Sequence, residues 1–313
     1  MSIASVSDRA ERVGLQQPLW IWFKRRSFQS SWRPKLEDVG RATRYLLVIA
    51  HPGHELRVYG WAAQARPWVC ILTDGSGSDR APRIENTLAT LKALGAKRTP
   101  ICGELSDRRV YEYFVKQESA PLEAIGRRLA QLILEEEIDT VVSDGFEGYN
   151  PIYDLCYLLT RAAVATAANT GRPCRHYTIP LMGDPRKPPR SHASEVREID
   201  LSPAVFQRKL QAMREYAELG GPTFKREIEA TIQNFGQQAF AREYLFAATP
   251  QDRWELPFEQ EKPSYETYGE QQVAAGRYQS VIRFREHFLP IAKRLSMLSS
   301  AFARDGKRAA FAS

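Results

Sequence analysis

The sequence has few of the features that mark a secreted, membrane-spanning or disulfide-linked protein. Its four cysteines lie far apart with no paired short spacing, which argues against a zinc ribbon and a disulfide framework. No apolar run approaches the roughly 18 residues that cross a bilayer, and the amino terminus lacks the order of a secretory signal. From these absences we predict a non-secreted, cytoplasmic protein without a transmembrane segment.

The chain also lacks a block of positive charge, although its net charge is +7. Lysine and arginine are spread along the sequence, so we expect no nucleic-acid partner, while an acidic or phosphate-bearing ligand stays compatible with the charge. A hydrophobic fraction of 43% and a charged fraction of 26% are ordinary for a globular protein. We expect one principal domain with extensions.

Apolar strands alternate with helical patterns from Arg44 onward, which predicts a mostly parallel sheet. The predicted strands lie at 45–50, 68–73, 99–103, 138–143 and 175–181. No Gly-x-Gly-x-x-Gly motif follows the first strand, so a dinucleotide cofactor is not expected. The pattern therefore predicts an α/β fold, a three-layer Rossmann-like sandwich with a C-terminal helical portion.

Composition divides the chain into three predicted parts: an N-terminal extension at 1–43, an α/β catalytic core at 44–185, and a mostly helical portion at 186–313 that completes the pocket. The extension contains an aromatic patch followed by three cations at 18–26. This patch suits either docking on a partner or a membrane surface, or packing against the chain's own domain. In the third part, helices are predicted near 203–219, 222–246 and 279–303.

Two histidines follow the first predicted strand. The uninterrupted apolar run at 45–50 is typical of a strand buried on both faces, so His51 and His54 emerge at its carboxyl end, where parallel sheets commonly bind ligands. Pro52 restricts the turn and Gly53 permits unusual dihedral angles, so the two imidazoles can converge. Convergent imidazoles suit zinc, whereas the alternative is a pair of buried histidines that satisfy backbone groups.

Polar residues after two further strands are expected on the same rim of the sheet. Asp74 ends the second strand, and the segment Asp-Gly-Phe-Glu-Gly-Tyr-Asn-Pro at 144–151 follows the fourth. With these motifs, residues 44–180 resemble the LmbE-like, or PIG-L, superfamily of zinc-dependent de-N-acetylases. The resemblance implies a divergent hydrolase that uses Zn2+ or another divalent metal to remove an acyl group from an N-acylated amino sugar or related amide.

The first motif of that family is Ala-His-Pro-Asp-Asp-Glu, and here residues 50–55 read Ala-His-Pro-Gly-His-Glu. The resemblance implies that His51 is the first metal ligand, and that His54 stands at the second-ligand position, where imidazole nitrogen keeps the ability to bind zinc. Gly53 stands where the family has its general base. A general base is typically worth about 10² to 10⁴ in rate, and Asp154 and Glu147 are the candidates to replace it.

A second motif, His-Pro-Asp-His in the family, aligns with Asn-Pro-Ile-Tyr-Asp at 150–154. The resemblance then implies that Tyr153 stands at the third-ligand position, although Asp154 would ligate instead after a small change in register. Asn150 has two open interpretations. It is either an amide donor to a developing oxyanion or a turn residue before proline.

Substrate contacts are predicted at Arg83, Asp74 and Tyr149. Arg83 resembles the arginine of the family's Arg-x-x-Glu region, which implies contacts with substrate hydroxyls, but a solvated surface arginine is an equal alternative. The aromatic, turn-rich segment at 262–278 suits the wall of a sugar site or plain packing. The alternative to an enzyme is a non-catalytic protein that keeps the fold as a binding or assembly module after losing its base and third ligand.

Overall fold

A computed structural model of the protein describes residues 42–77, 81–189, 195–220, 222–249, 255, 258 and 261–299. Its centre is a seven-stranded sheet in the order β3-β2-β1-β4-β5-β7-β6. The first five strands run parallel, and β7 pairs antiparallel with both β5 and β6. The strands are Tyr45–Ile49 (β1), Trp68–Thr73 (β2), Lys97–Leu105 (β3), Thr140–Asp144 (β4), Arg175–Ile179 (β5), Val196–Asp200 (β6) and Arg242–Ala247 (β7).

Helices connect the strands and cover the sheet. The α-helices of the described residues are Tyr59–Ala65 (α1), Ile84–Ala93 (α2), Asp107–Lys116 (α3), Ala120–Glu135 (α4), Pro151–Asn169 (α5), Pro203–Gly220 (α6), Pro222–Phe235 (α7), Ser264–Ala274 (α8) and Leu289–Ser296 (α9). Shorter segments are the 3-10 helices His54–Val58 and Gln237–Phe240 and the π-helix Phe284–Phe288.

The side chains of β1 alternate between two hydrophobic cores. Leu46 and Val48 belong to one core, together with residues of α3, α4, α5 and α9. Leu47 and Ile49 belong to the other, which includes residues of α1 and α2. Every residue from Leu46 to Ile49 is fully buried. Strand β1 is therefore covered on both faces, as its uninterrupted apolar run predicts. The predicted three-layer α/β sandwich with a mostly parallel sheet is confirmed.

The five predicted strands correspond to β1–β5, and α6 confirms the helix predicted near 203–219. The helix predicted over 222–246 is wrong in its second half. Gly236, with φ of 76°, follows the end of α7, and β7 begins at Arg242. In this strand Glu243, Leu245 and Phe246 are buried, and it pairs antiparallel with both β5 and β6.

Helix α3 and strand β6 are among the elements that were not predicted, and α3 carries a site residue. Helix α3 begins at Asp107, with Ser106 accepting a hydrogen bond from the amide of Arg109 as its N-cap. Strand β6 lies at the edge of the sheet and buries only Ile199, so it has little apolar pattern. The aromatic and basic segment at 18–26 lies outside the described residues, and the division of the chain at 43 and 185 stays a prediction. Within the part of the chain that is described, no helix is long and apolar enough to span a membrane.

Candidate active site

The turn after β1 carries both predicted histidines. Gly53 has φ of 103°, in the left-handed region that favours glycine, and the next five residues form the 3-10 helix His54–Val58. This turn brings the imidazole centroids of His51 and His54 to 5.6 Å from each other. The two residues are 7% and 8% exposed. The turn therefore places the two rings beside each other at the end of β1, and their convergence on one metal ion stays a prediction.

Asp107 holds the His51 ring. The Nε2 atom of His51 lies 2.8 Å from Oδ1 of Asp107, and Oδ2 of Asp107 accepts a hydrogen bond from the amide of Gly77 at 2.7 Å. Burial by itself would raise the pKa of Asp107, but the neighbouring His51 ring and the hydrogen bonds to the carboxylate lower it to about 2. Asp107 is therefore a carboxylate at neutral pH. The Nδ1 atom of His51 is buried and has no hydrogen-bond partner among the described residues.

Asp144 has the corresponding relationship with His54. Its Oδ2 atom lies 2.8 Å from Nδ1 of His54 and accepts the backbone amide of Ala50 at 2.7 Å. Asp144 is the last residue of β4, the strand directly beside β1, and it is fully buried. The carboxyl ends of two adjacent parallel strands thus supply one carboxylate–imidazole pair. The carboxylate of the other pair reaches the same rim from the start of α3.

Tyr153 lies against both histidines. Its ring centroid is 5.1 Å from that of His51 and 4.6 Å from that of His54, and both contacts are edge-to-face. Tyr153 comes from the first turn of α5, which Asn150 caps by accepting a hydrogen bond from the amide of Ile152 at 2.8 Å. The helix-entry role of Asn150 is therefore observed, and its role as an oxyanion donor stays a prediction.

The two candidates for the missing base hold loops through backbone amides. The carboxylate of Asp154 accepts the amides of Glu147 and Gly148 at 2.9 and 3.1 Å, and Asp154 is fully buried. Glu147 in turn accepts the amides of Leu181 and Met182, each at 3.1 Å. Burial raises the pKa of Glu147 to about 8, so this carboxyl holds a proton at neutral pH. A catalytic role for either residue stays a prediction.

The three predicted substrate-binding residues occupy two places on the rim. Arg83 donates from Nε to the carbonyl of Gly75 at 2.8 Å, and its guanidinium lies 6.0 Å from the ring centroid of Tyr216. Asp74 accepts the hydroxyl and the amide of Ser76, which orders the loop after β2. Tyr149 is 37% exposed and lies 6.2 Å from the Tyr153 ring. Their contacts with a substrate stay predictions.

Glu55 is a site residue to which sequence reasoning gave no role, although it belongs to the motif at 50–55. It is fully buried. Its Oε2 atom accepts the amide of Gly53 at 2.7 Å, and its Oε1 atom accepts the hydroxyl of Thr87 at 2.8 Å. Burial raises its pKa to about 7, against the lowering effect of these hydrogen bonds. Glu55 therefore fastens the turn between the two histidines to α2.

Tyr216 is another site residue that the sequence did not indicate, as is Asp107. Helix α6 packs on the 3-10 helix through a small core that includes Leu56, Met213 and Tyr216. A Cβ atom built on Gly53 would lie 2.7 Å from Cε1 of Tyr216 and 3.0 Å from its hydroxyl oxygen. The space that a base at position 53 would require is thus filled by a phenol. No local pattern indicates this contact, because the two residues are far apart in the sequence.

The described residues fit a divalent metal in part. Metal-ligating histidines usually have a carboxylate on the other ring nitrogen, and Asp107 and Asp144 provide this for both rings. The orphaned Nδ1 of His51 is a buried polar atom that an ion would satisfy. However, no group of three His, Cys, Asp or Glu residues in the described ranges is placed to hold a metal. The role of Tyr153 as third ligand stays a prediction.

No family model and no curated protein matches the chain. Among solved structures, the A40926 pseudoaglycone deacetylase Dbv21 is similar over 66% of this chain and 96% of its own, with 20% identity and a TM-score of 0.45. The conserved protein TT1542 from Thermus thermophilus is similar over 67% of this chain and 96% of its own, with 19% identity and a TM-score of 0.47. The zinc-inhibited form of the teicoplanin deacetylase Orf2 is similar over 67% of this chain and 100% of its own, with 14% identity and a TM-score of 0.41.

Two of these three neighbours are deacetylases. At these identities and TM-scores the likeness carries no argument about this chain. It assigns neither an activity nor a ligand to this chain.

Proposed function

We propose that this protein is a divergent metal-dependent hydrolase that removes an acyl group from an N-acylated amino sugar or related amide. The observation that carries the proposal is the pair of imidazoles at the end of β1, each backed by a buried carboxylate. Two such pairs on one rim are the arrangement that metal-ligating histidines adopt. The sequence motif at 50–55 supports the same reaction class.

In this proposal, His51 would hold the ion through Nδ1, His54 through Nε2, and Tyr153 through its phenol oxygen. A bound divalent ion would act as a Lewis acid on the amide carbonyl and would lower the pKa of water. Asp107 and Asp144, each 2.8 Å from an imidazole nitrogen, would orient the rings and favour the tautomers with the proton on Nε2 of His51 and Nδ1 of His54. The nitrogens facing the ion would then carry lone pairs.

The chain's other residues would position the substrate and manage protons. Because Oδ1 of Asn150 is occupied by the amide of Ile152, its Nδ2 group is the donor that it can offer to a developing oxyanion. Glu147, protonated at neutral pH, suits the donation of a proton to the leaving amine better than the acceptance of one. Asp154 remains the proposed base, and Arg83, Asp74 and Tyr149 the proposed substrate contacts.

Metal content and acetate release test the proposal together. Protein purified without added metal is analysed by inductively coupled plasma mass spectrometry, before and after incubation with zinc, and acetate release is measured on a panel of N-acetylated amino sugars. We expect one bound ion per chain and turnover that His51→Ala and His54→Ala abolish. His287→Ala, which removes an imidazole outside the site, is the matched control and should retain both the bound ion and the turnover. A zinc-saturated protein with no turnover on any member contradicts the proposal.

The second candidate is a non-catalytic binding or assembly module with this fold. The observation that favours it is Tyr216, which fills the space beside Gly53 where a base would stand. A folded protein that binds no zinc and has the same thermal stability with and without His51 would support this candidate. Stoichiometric zinc with His51-dependent acetate release would contradict it.

A further inference from the structure

A small cavity with several charged residues in its lining lies beside the 3-10 helix His54–Val58, where α6 and β7 meet it. Its charged lining residues are Arg57, Lys209, Arg242 and Glu243, and most of the others are apolar or proline. The cavity has a volume of about 10 Å³, which is room for the centre of one particle of about the size of water. A ligand of this cavity is therefore a water molecule or a monatomic ion.

Lys209 brings a buried ammonium group to the cavity. Its side chain is only 2% exposed. The Nζ atom lies 2.8 Å from Oε1 of Glu243 and 3.3 Å from the backbone carbonyl of Arg57. Because an ammonium group has three N–H bonds, one of them has no acceptor in the part of the chain that the structure describes. A ligand that accepts this hydrogen would remove the cost of leaving it unsatisfied.

Arg57 brings a second positive charge to the same cavity. Its Nη2 atom donates to the carbonyl of Leu181 at 2.6 Å, and its guanidinium lies 6.0 Å from the ring centroid of Phe240. Both groups are neutral, so they hold the guanidinium in place without cancelling its charge. The carboxyl of Glu147, which also interacts with Arg57, has its pKa raised by burial to about 8 and is protonated at neutral pH.

Glu243 balances one of these two charges. Its Oε1 atom accepts the amide of Gly60 and Nζ of Lys209, and its Oε2 atom accepts the amide of Trp61. Three donors thus already occupy this carboxylate, which leaves little acceptor capacity for the hydrogens of a water molecule.

The remaining charged residue of the lining, Arg242, is paired at the surface. It lies 2.7 Å from Glu198 and 2.5 Å from Asp200, and all three side chains are well exposed. The inner part of the lining therefore contains two cations and one carboxylate, a sum of one positive charge. Charges in buried places are normally paired, and an anion requires donors only.

We propose that this cavity is a binding site for one small monovalent anion of the halide class, held by the ammonium of Lys209 and the guanidinium of Arg57. The four oxygens of a phosphate or sulfate exceed the volume of the cavity. Arg57 lies three residues after His54 in the same 3-10 helix, so the anion fastens this helix to α6. This site lies outside the proposed function and does not depend on it.

Chloride-dependent stability tests the site. Urea denaturation of the full chain is measured in mixtures of sodium chloride and sodium gluconate at constant ionic strength, because gluconate is too large for the cavity. An anion that binds only the folded state raises the ratio of folded to unfolded protein, by about tenfold when its concentration is about ten times its dissociation constant. We therefore expect the urea midpoint to rise with the chloride fraction. In a crystal soaked in sodium bromide, anomalous diffraction should locate one bromide between Arg57 and Lys209.

Two variants remove the positive charge in different ways. Arg57→Gln removes the guanidinium, while the double variant Lys209→Met with Glu243→Gln removes the ammonium together with the carboxylate that pairs with it. Both should lose the chloride dependence of the urea midpoint, whatever their own stability. Arg128→Gln removes an arginine that pairs with Glu104 at the surface. It is the matched control and should keep the chloride dependence, which separates binding from a general effect of salt.

Three results would overturn the anion site: equal midpoints in chloride and gluconate, an undiminished chloride dependence in both variants, or a bromide-soaked crystal with only water in the cavity. A larger effect of phosphate than of chloride would also contradict it, because the cavity lacks room for a polyatomic anion. None of these measurements involves zinc or acetate release. The anion site and the proposed function are therefore tested separately.

Discussion

Tyr216 occupies the volume into which any side chain at position 53 would project. The Cβ atom of such a side chain would lie 2.7 Å from Cε1 and 2.8 Å from Cζ of the Tyr216 ring, closer than real contacts allow. Gly53 also has φ of 103°, a conformation that other residues adopt only with strain. Glycine at 53 and tyrosine at 216 therefore depend on each other.

This dependence predicts that Gly53→Asp will not restore a general base. We expect it to lower the free energy of unfolding by about 2–4 kcal/mol, because overpacking adds to left-handed strain. Gly171→Asp is the matched control, since Gly171 has φ of 90° but no atom within 4 Å of its built Cβ, and it should lose only about 1 kcal/mol. Urea denaturation measures both.

The same substitution in a Tyr216→Ala background separates strain from overlap. In that background, Gly53→Asp should cost about as much as Gly171→Asp, because the ring that it overlaps is gone. An unchanged cost in a double-mutant cycle would show that Tyr216 is not the obstacle.

The buried carboxyl of Glu55 makes the free energy of unfolding depend on pH. Its pKa is raised by burial from 4.5 to about 7, so the folded state binds its proton more tightly than the unfolded state. The free energy of unfolding should therefore fall as the pH rises from about 4.5 to about 7, by on the order of 3 kcal/mol. Glu55→Gln, which mimics the protonated acid, should flatten this decline in urea denaturation series at successive pH values. Glu118→Gln, at an exposed carboxyl, should leave the fall in the free energy of unfolding with pH unchanged.

Asp107 should control metal affinity without touching the metal. Asp107→Ala removes the carboxylate 2.8 Å from His51 Nε2, so the ring loses its orienting partner, and zinc affinity should fall about 10- to 100-fold. Competition with a chromogenic chelator measures this. Asp200→Ala removes a carboxylate that pairs with Arg242 on the sheet edge and should have no effect. Equal affinities in the two variants would contradict the role of Asp107.

The buried ion pair of Lys209 and Glu243 stabilises the segment that follows the two histidines. Their 2.8 Å contact is almost fully buried, and Glu243 also accepts the amides of Gly60 and Trp61 at the start of α1. Lys209→Met should cost about 3–5 kcal/mol of unfolding free energy, because it leaves a buried charge unpaired. Adding Glu243→Gln should recover part of this loss in thermal and urea denaturation, because it removes the unpaired charge but leaves only one acceptor for the amides of Gly60 and Trp61. A double variant no more stable than Lys209→Met would contradict this account.

The sequence predicted the elements whose signal is local. The apolar run of β1, Pro52 and Gly53 were enough to predict a rim with His51 and His54 on it. Tyr153 was predicted near them from the second motif. These residues lie within or directly after a strand or a helix start, where spacing determines position.

Contacts made by distant segments could not be predicted in this way. Asp107 reaches His51 because α3 follows β3, and Tyr216 reaches Gly53 because α6 packs on the 3-10 helix. Neither contact produces a pattern in the sequence from which it could be predicted. Strand β7 was mistaken for helix because its apolar residues adjoin the real helix α7, and only Gly236 and a short 3-10 turn separate the two.

The His54–Asp144 contact joins segments 90 residues apart. Since β1 and β4 are neighbours in the sheet but β2 and β3 are made between them, a chain emerging from the ribosome cannot complete the site until β4 has paired. Such non-local pairing is slow. Binding of an ion to this rim would therefore report that the parallel part of the sheet has finished assembling, and a truncated chain that ends before β4 would bind none there.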